Sequence, residues 1–208
     1  MGAFLEHWDH QLFFLINSGL HCTALNWFCM ALSELGRWAI ALVAVAVLLP
    51  GGWRALRRHL LILVVFVAIA SGLNSAIKEV VYRARPGREF KHEIKSGEVT
   101  VYQLEEVKRR SFPSGHSLLA FVLMTYVGQV HRRFRPYGLT LAFLIAFSRV
   151  YVGAHFPFDC LAGAVGGAFW GLLAWKTWQR MERGEWPFRH QKPATAATGG
   201  GSGSCSPP

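Results

Sequence analysis

"HLLILVVFVAIASGLNSAIKEVVY", residues 59–82, decides the fold. A run this long and this apolar, with its first charge at Lys78, reads as a membrane-spanning helix. Four other apolar blocks surround it: 37–50, 116–130, 137–154 and 157–178. The block at 37–50 reaches a full span only if its helix begins near Leu32. About half of the 208 residues are apolar and only 16% are charged. Apolar residues gathered in blocks rather than spread evenly point to an all-α integral membrane helical bundle of five to six transmembrane helices.

The first 35 residues are apolar but broken by Asn17, Ser18, Gly19, His21, Thr23 and Asn26. They read as two short helices lying at the interface or dipping into it, with a sixth span as the alternative. The expected organisation is therefore 1–35 as N-terminal interfacial or membrane-dipping helices, 36–180 as the transmembrane domain, and 181–208 as a cytoplasmic tail. That tail is low-complexity and expected to be disordered from Pro193 onward. The first 20 residues lack a basic n-region and a small-residue cleavage site, so no cleavable signal peptide is expected. Block 157–178 contains AGAVGGAFWG, a small-residue face suited to close helix packing.

The formal net charge is +10. Nucleic-acid binding would use such a charge, but much of it sits in short stretches between apolar blocks, which is the pattern of membrane loops. No nucleic-acid partner is expected, and the partner is the lipid bilayer. Cys22, Cys29, Cys160 and Cys205 form no CxxC pair, so they read as small buried residues or a free tail thiol.

Loop charge orients the bundle. Arg54, Arg57 and Arg58, then Arg132, Arg133 and Arg135, then Lys176, Arg180 and Arg183 belong on the cytoplasmic side. Five spans then bring 83–115 and 149–157 together on the opposite face. That face is also basic, with Lys78, Arg83, Arg85, Arg88, Lys91, Lys95, Lys108, Arg109, Arg110 and Arg149 on or near it. Positive charge against the usual bias wants a reason, and an anionic substrate supplies one.

Three polar clusters flank spans on that face. In "KEVVYRARP", 78–86, Lys78 and Arg85 are seven residues apart and share a face if the helix continues to Pro86. Taken alone, interfacial snorkelling is the plainer explanation for them. In "PSGH", 113–116, Ser114 is a candidate N-cap, Gly115 allows close backbone approach, and free N–H groups at the helix start favour anions. Ordinary capping, with His116 interfacial, is the plain alternative. In "SRVYVGAHFPFD", 148–159, Asp159 falls in the first turn of a helix and can fix the tautomer of His155. A buried Arg–Asp pair with a capping histidine is its alternative. Three plain explanations holding at once on one face is the weaker reading. Together the clusters supply cations, N–H donors, a nucleophile and a general acid, which is the equipment of phosphoryl transfer.

The three clusters resemble the signature of the type 2 phosphatidic acid phosphatase (PAP2) superfamily, K-x6-RP, PSGH and SR-x5-H-x3-D. All three match without a gap, from Lys78 to Asp159. The stretch DHQLFFLINSGLHCTALNWFCMALSELG also looks like the lead-in of shorter bacterial members. The resemblance implies a PAP2/haloperoxidase-like helical bundle and a lipid phosphatase. It implies that His155 attacks phosphorus, that Asp159 orients and stabilises it, and that His116 protonates the leaving oxygen and later activates water. Lys78, Arg85, Ser114, Gly115 and Arg149 would hold the phosphate. No metal and no cofactor are expected, since the cations are built in and the sequence shows no carboxylate cluster for magnesium.

A membrane lipid phosphate is the expected substrate, with undecaprenyl diphosphate favoured over phosphatidylglycerophosphate, phosphatidic acid and lipid A. The expected location is the bacterial inner membrane with the site facing the periplasm. A lipid phosphotransferase uses the same pocket. A vanadate-dependent haloperoxidase shares the motifs but is a larger soluble protein. A non-catalytic lipid-phosphate binder has no need of both histidines. The histidines outside the motifs, His59 among them, read as interfacial or loop residues.

Overall fold

In the computed structural model, residues 3–20, 22–102 and 110–184 are described. Lys108, Arg109 and most of the expected tail lie outside them. The described residues form eight α-helices and no strand: α1 (Ala3–Asn17), α2 (Thr23–Leu48), α3 (Trp53–Val80), α4 (Pro86–Glu89), α5 (Lys91–Ser96), α6 (Gly115–Val130), α7 (Arg135–Tyr151) and α8 (Pro157–Glu182). Short 3-10 turns at Leu49–Gly51 and Arg132–Phe134 lead into α3 and α7.

α3 and α8 are each long and apolar enough to cross a membrane. A third crossing is added if α2 counts as one span, bent by 67° between Thr23–Glu34 and Trp38–Gly51. The expected boundary at 35/36 falls in that bend. α6 has 16 residues and α7 has 17, which at about 1.5 Å per residue is shorter than a bilayer core of about 30 Å. Leu61, Val64 and Val65 on α3, and Leu161, Val165 and Phe169 on α8, are exposed. Apolar surface of that extent belongs against lipid, and the chain is an integral membrane protein.

α6 is the centre of the bundle, packed by α2, α3, α7 and α8. Its residues Val122 to Gly128 are all buried, as expected of a helix apolar on every side. The tightest seam runs between α6 and α8. A Cβ at Gly163, Gly167 or Gly171 would stand 2.4, 2.4 and 2.6 Å from the carbonyl oxygens of Ser114, Leu118 and Val122. Glycine every fourth residue lets the two backbones touch, which is the role anticipated for the small-residue face.

Two local readings are corrected. α3 does not continue to Pro86: it ends at Val80, and Val81 is extended. Lys78 and Arg85 therefore do not share a helix face. Arg85 is extended because it precedes proline, and Pro86 begins α4 rather than ending α3. His59 is no interfacial residue. It is buried in the bundle, with Nδ1 2.7 Å from the Tyr126 hydroxyl and its ring stacked 3.9 Å from that of Trp178.

Candidate active site

The motif residues meet because α3, α6, α7 and α8 alternate in direction. The C-terminal ends of α3 and α7 and the N-terminal ends of α6 and α8 share one end of the bundle. Backbone bonds stitch that end together. Ser111 N–H donates to Arg83 O at 3.0 Å, and Ser114 N–H donates to Asp159 O at 2.9 Å. The N–H groups of Ala154 and His155 both donate to Arg149 O, at 3.0 and 3.2 Å. Gly153 turns the chain there with φ +75°, and Thr100 O would lie 2.9 Å from any Cβ at that position.

His155 is 1% exposed and Asp159 is 0% exposed. Their Nδ1 and Oδ2 are 3.7 Å apart, longer than a hydrogen bond. Ser111 stands between them, its hydroxyl donating to Asp159 Oδ2 and lying 3.4 Å from His155 Nδ1. Asp159 Oδ2 also accepts the Phe156 N–H at 2.9 Å, so the carboxylate caps α8 as well as facing the histidine. With Nδ1 engaged on that side, Nε2 is the ring nitrogen left for chemistry. Burial pushes His155 down to about 4; contact with Asp159 opposes this, and the charges of Arg85 and Arg149 add to it. The imidazole is therefore neutral at pH 7, with a lone pair to donate.

Arg85 is buried and donates to Ala154 O at 3.2 Å. Arg149 is buried and donates to the Ser33 hydroxyl on α2. Lys78, in the last turn of α3, reaches Arg110 O at 3.4 Å, and Arg110 returns a bond to Lys78 O at 2.8 Å. Ser114 is the N-cap of α6, with the Ser117 N–H 3.5 Å from its hydroxyl. A Cβ at Gly115 would meet Asn74 Nδ2 at 3.8 Å, an ordinary contact distance. His116 follows in the first turn of α6, half-buried.

Three residues of this site escape the motifs. Ser111 is one. Arg83 is the second: Nη1 donates to Asp159 Oδ1 at 2.7 Å, and Nη2 pairs with Asp9 Oδ2. Asp9 is the third, arriving from α1 and accepting the Phe158 N–H at 2.8 Å. An Arg–Asp pair at Asp159 was the plain alternative for the third cluster, and the arginine that makes it is Arg83. The fold also assembles one group of potential metal ligands that no sequence cluster announces: Glu6, His10 and Glu89 offer atoms within 4.8 Å of one another, with His10 and Glu89 paired at 2.9 Å.

Residues 59–183 match the PAP2 superfamily. The chain is 31% identical to an undecaprenyl-diphosphatase of Sulfolobus acidocaldarius over 79% of its own length and 75% of that protein's. It is 26% identical to a lipid A 4'-phosphatase of Bacteroides thetaiotaomicron over 83% and 78% of the two chains. Its fold is similar to the crystal structure of Aquifex aeolicus LpxE, with a TM-score of 0.64, 25% identity, and coverage of 80% of this chain and 93% of that one. The chain belongs to the PAP2 superfamily. It is an enzyme of that superfamily's lipid phosphatase class.

Proposed function

We propose that this protein hydrolyses the terminal phosphate of a membrane lipid phosphate or diphosphate through a phosphohistidine at His155. The observation that carries the reading is a buried, neutral His155 with Ser111 and Asp159 behind Nδ1 and two buried arginines close by. Nε2 attacks phosphorus, and the bond from phosphorus to the lipid-side oxygen breaks as His116 gives that oxygen a proton. His116 then takes a proton from water, whose oxygen displaces the histidine nitrogen. Lys78, Arg85, Arg149, Ser114 and the Gly115 N–H hold the phosphoryl oxygens where charge develops.

Undecaprenyl diphosphate is the favoured substrate, supported by the match to an enzyme of that name. A lipid A phosphate is the second reading, supported by the match to a lipid A 4'-phosphatase. An apolar cavity of about 400 Å³, lined by Phe121, Phe143, Val150, Cys160 and Leu161 among others, adjoins the ends of α7 and α8 and suits a hydrocarbon chain. Five to six crossings would put the site at the periplasmic face of the inner membrane. Labelling of cysteines introduced in 87–102 from the cytoplasmic side alone would overturn that orientation.

Phosphate release in detergent micelles, without added metal and with excess chelator, tests the reaction. Undecaprenyl diphosphate, phosphatidylglycerophosphate, phosphatidic acid and a lipid A phosphate are each run beside His155→Ala. Chelator-resistant release that vanishes in the variant is expected, and the fastest lipid names the substrate. Release that survives His155→Ala removes the phosphohistidine. Transfer of phosphate to an added acceptor instead of water would make the protein a phosphotransferase.

A further inference from the structure

We propose that Asp9 on α1 is a positioning residue for the reaction just described: it neutralises Arg83 and so leaves the charge of Asp159 to stabilise the positively charged forms of His155. The inference rests on that reaction, in which the imidazole becomes cationic when it carries the phosphoryl group.

The geometry is a chain of three ions, the two carboxylates buried and the guanidinium between them nearly so. The guanidinium of Arg83 pairs with Asp159 Oδ1 on one side and Asp9 Oδ2 on the other. Its carbon lies 4.3 Å from the centre of the Phe156 ring, next to His155 in sequence. Arg83 is 10% exposed and both carboxylates are 0% exposed. α1 presents Asp9 and Phe13 inward, and Phe4, Trp8 and Leu15 outward.

Charge balance gives the chain its use. Arg83 with Asp159 alone is a neutral pair with little field to offer a nearby cation. Asp9 brings the sum of these three groups to one negative charge, the sign that stabilises positive charge on the His155 ring, while the charges of Arg85 and Arg149 oppose it. The three-ion chain therefore makes the cationic ring less costly than a neutral Arg83–Asp159 pair alone would. Burial raises the Asp9 carboxyl, and the Arg83 bond, the Phe158 N–H and the Arg83 charge oppose this. Each Asp9 oxygen accepts a hydrogen bond, one from Arg83 and one from the Phe158 N–H, and both bonds favour the charged carboxylate.

Other charged groups among the described residues also act on this chain. Asp159, Arg85 and Arg149 act on His155, with the Ser111 hydroxyl alongside. Asp9 meets Arg83 and Asp159. Glu89 on α4 also senses Arg83, but it is paired with His10 at 2.9 Å, and Glu6 lies beside them.

The test compares wild type, Asp9→Asn, and the double variant Asp9→Asn with Arg83→Gln, as full-length protein in micelles. Two quantities are read. One is the titration of His155 by ¹⁵N-histidine NMR, assigned with His155→Ala. The other is kcat and KM for phosphate release. Asp9→Asn should lower the pH at which His155 titrates and lower kcat on the order of tenfold, with KM little moved. The double variant removes both opposing charges and should recover titration and kcat toward wild type. A purely structural role predicts the reverse, since two lost partners disturb the turn more than one. An unmoved His155 titration in Asp9→Asn, an unchanged kcat, or a double variant no better than the single would overturn the inference. The titration needs no substrate, so a wild type inactive on every lipid would remove the proposed function while the titration still judges Asp9.

Discussion

Nδ1 of His155 and Oδ2 of Asp159 stand 3.7 Å apart, and the hydroxyl of Ser111 lies within reach of both. The carboxylate addresses the imidazole across a serine. An Nδ1–H donating to Ser111, which donates on to Asp159, leaves Nε2 as the nitrogen that the proposed mechanism uses. Ser111→Ala should lower kcat on the order of 10–100-fold, the value of one hydrogen bond to a charged group. Ser111→Thr, which keeps the hydroxyl, should retain part of that rate. Steady-state phosphate release checks both, and an Ala variant as fast as wild type would remove serine from the relay.

His155 also sets a pH window for stability. Burial lowers it to about 4 in the folded protein, and in the unfolded chain it titrates near 6.5. Its contribution is whole above about 6.5 and is lost as pH falls through about 4, because the unfolded chain then binds the extra proton. The midpoint of thermal unfolding in micelles should fall between those limits. His155→Ala should show a shallower fall over the same range. Equal slopes in the two proteins would contradict the assignment.

The α6–α8 seam should be intolerant of a single methyl group. Gly167→Ala places Cβ 2.4 Å from Leu118 O, a backbone atom that moves only with its helix. A loss of roughly 1–3 kcal/mol is expected from such overpacking. Gly72→Ala on α3, with nothing within 4 Å, is the control and should be neutral or stabilising. Thermal unfolding of the two variants side by side decides it.

Gly153 carries the turn that presents His155. Its φ of +75° and the 2.9 Å approach of Thr100 O both penalise a side chain. Gly153→Ala should cost about 1–2 kcal/mol from the left-handed backbone alone. It should also depress kcat, since His155 is two residues on. An unfolding midpoint and a turnover rate both equal to wild type would show that the turn accommodates the change.

The candidate site's residues stand out along the chain because they sit in short, ordered motifs at the ends of apolar runs. The helices at 115–130 and 157–182 begin within a residue of the expected starts, since Ser114 and Pro157 mark them. The end of α3 was misplaced because Pro86 was read as a stop, when proline is equally at home in a helix's first turn. His59 was misjudged because a histidine beside arginines looks interfacial until Tyr126 and Trp178 enclose it.

The sequence by itself determined an all-helical membrane protein and the identity of its candidate chemical groups, because hydropathy and motif spacing are local properties. Only the tertiary structure decided what those groups do to one another. Asp9 is 74 residues from Arg83, and Arg83 is 76 from Asp159, so no pattern along the chain links them. Helix packing around α6 brings them together, and burial there makes a charge that would be screened in water act on the histidine beside it.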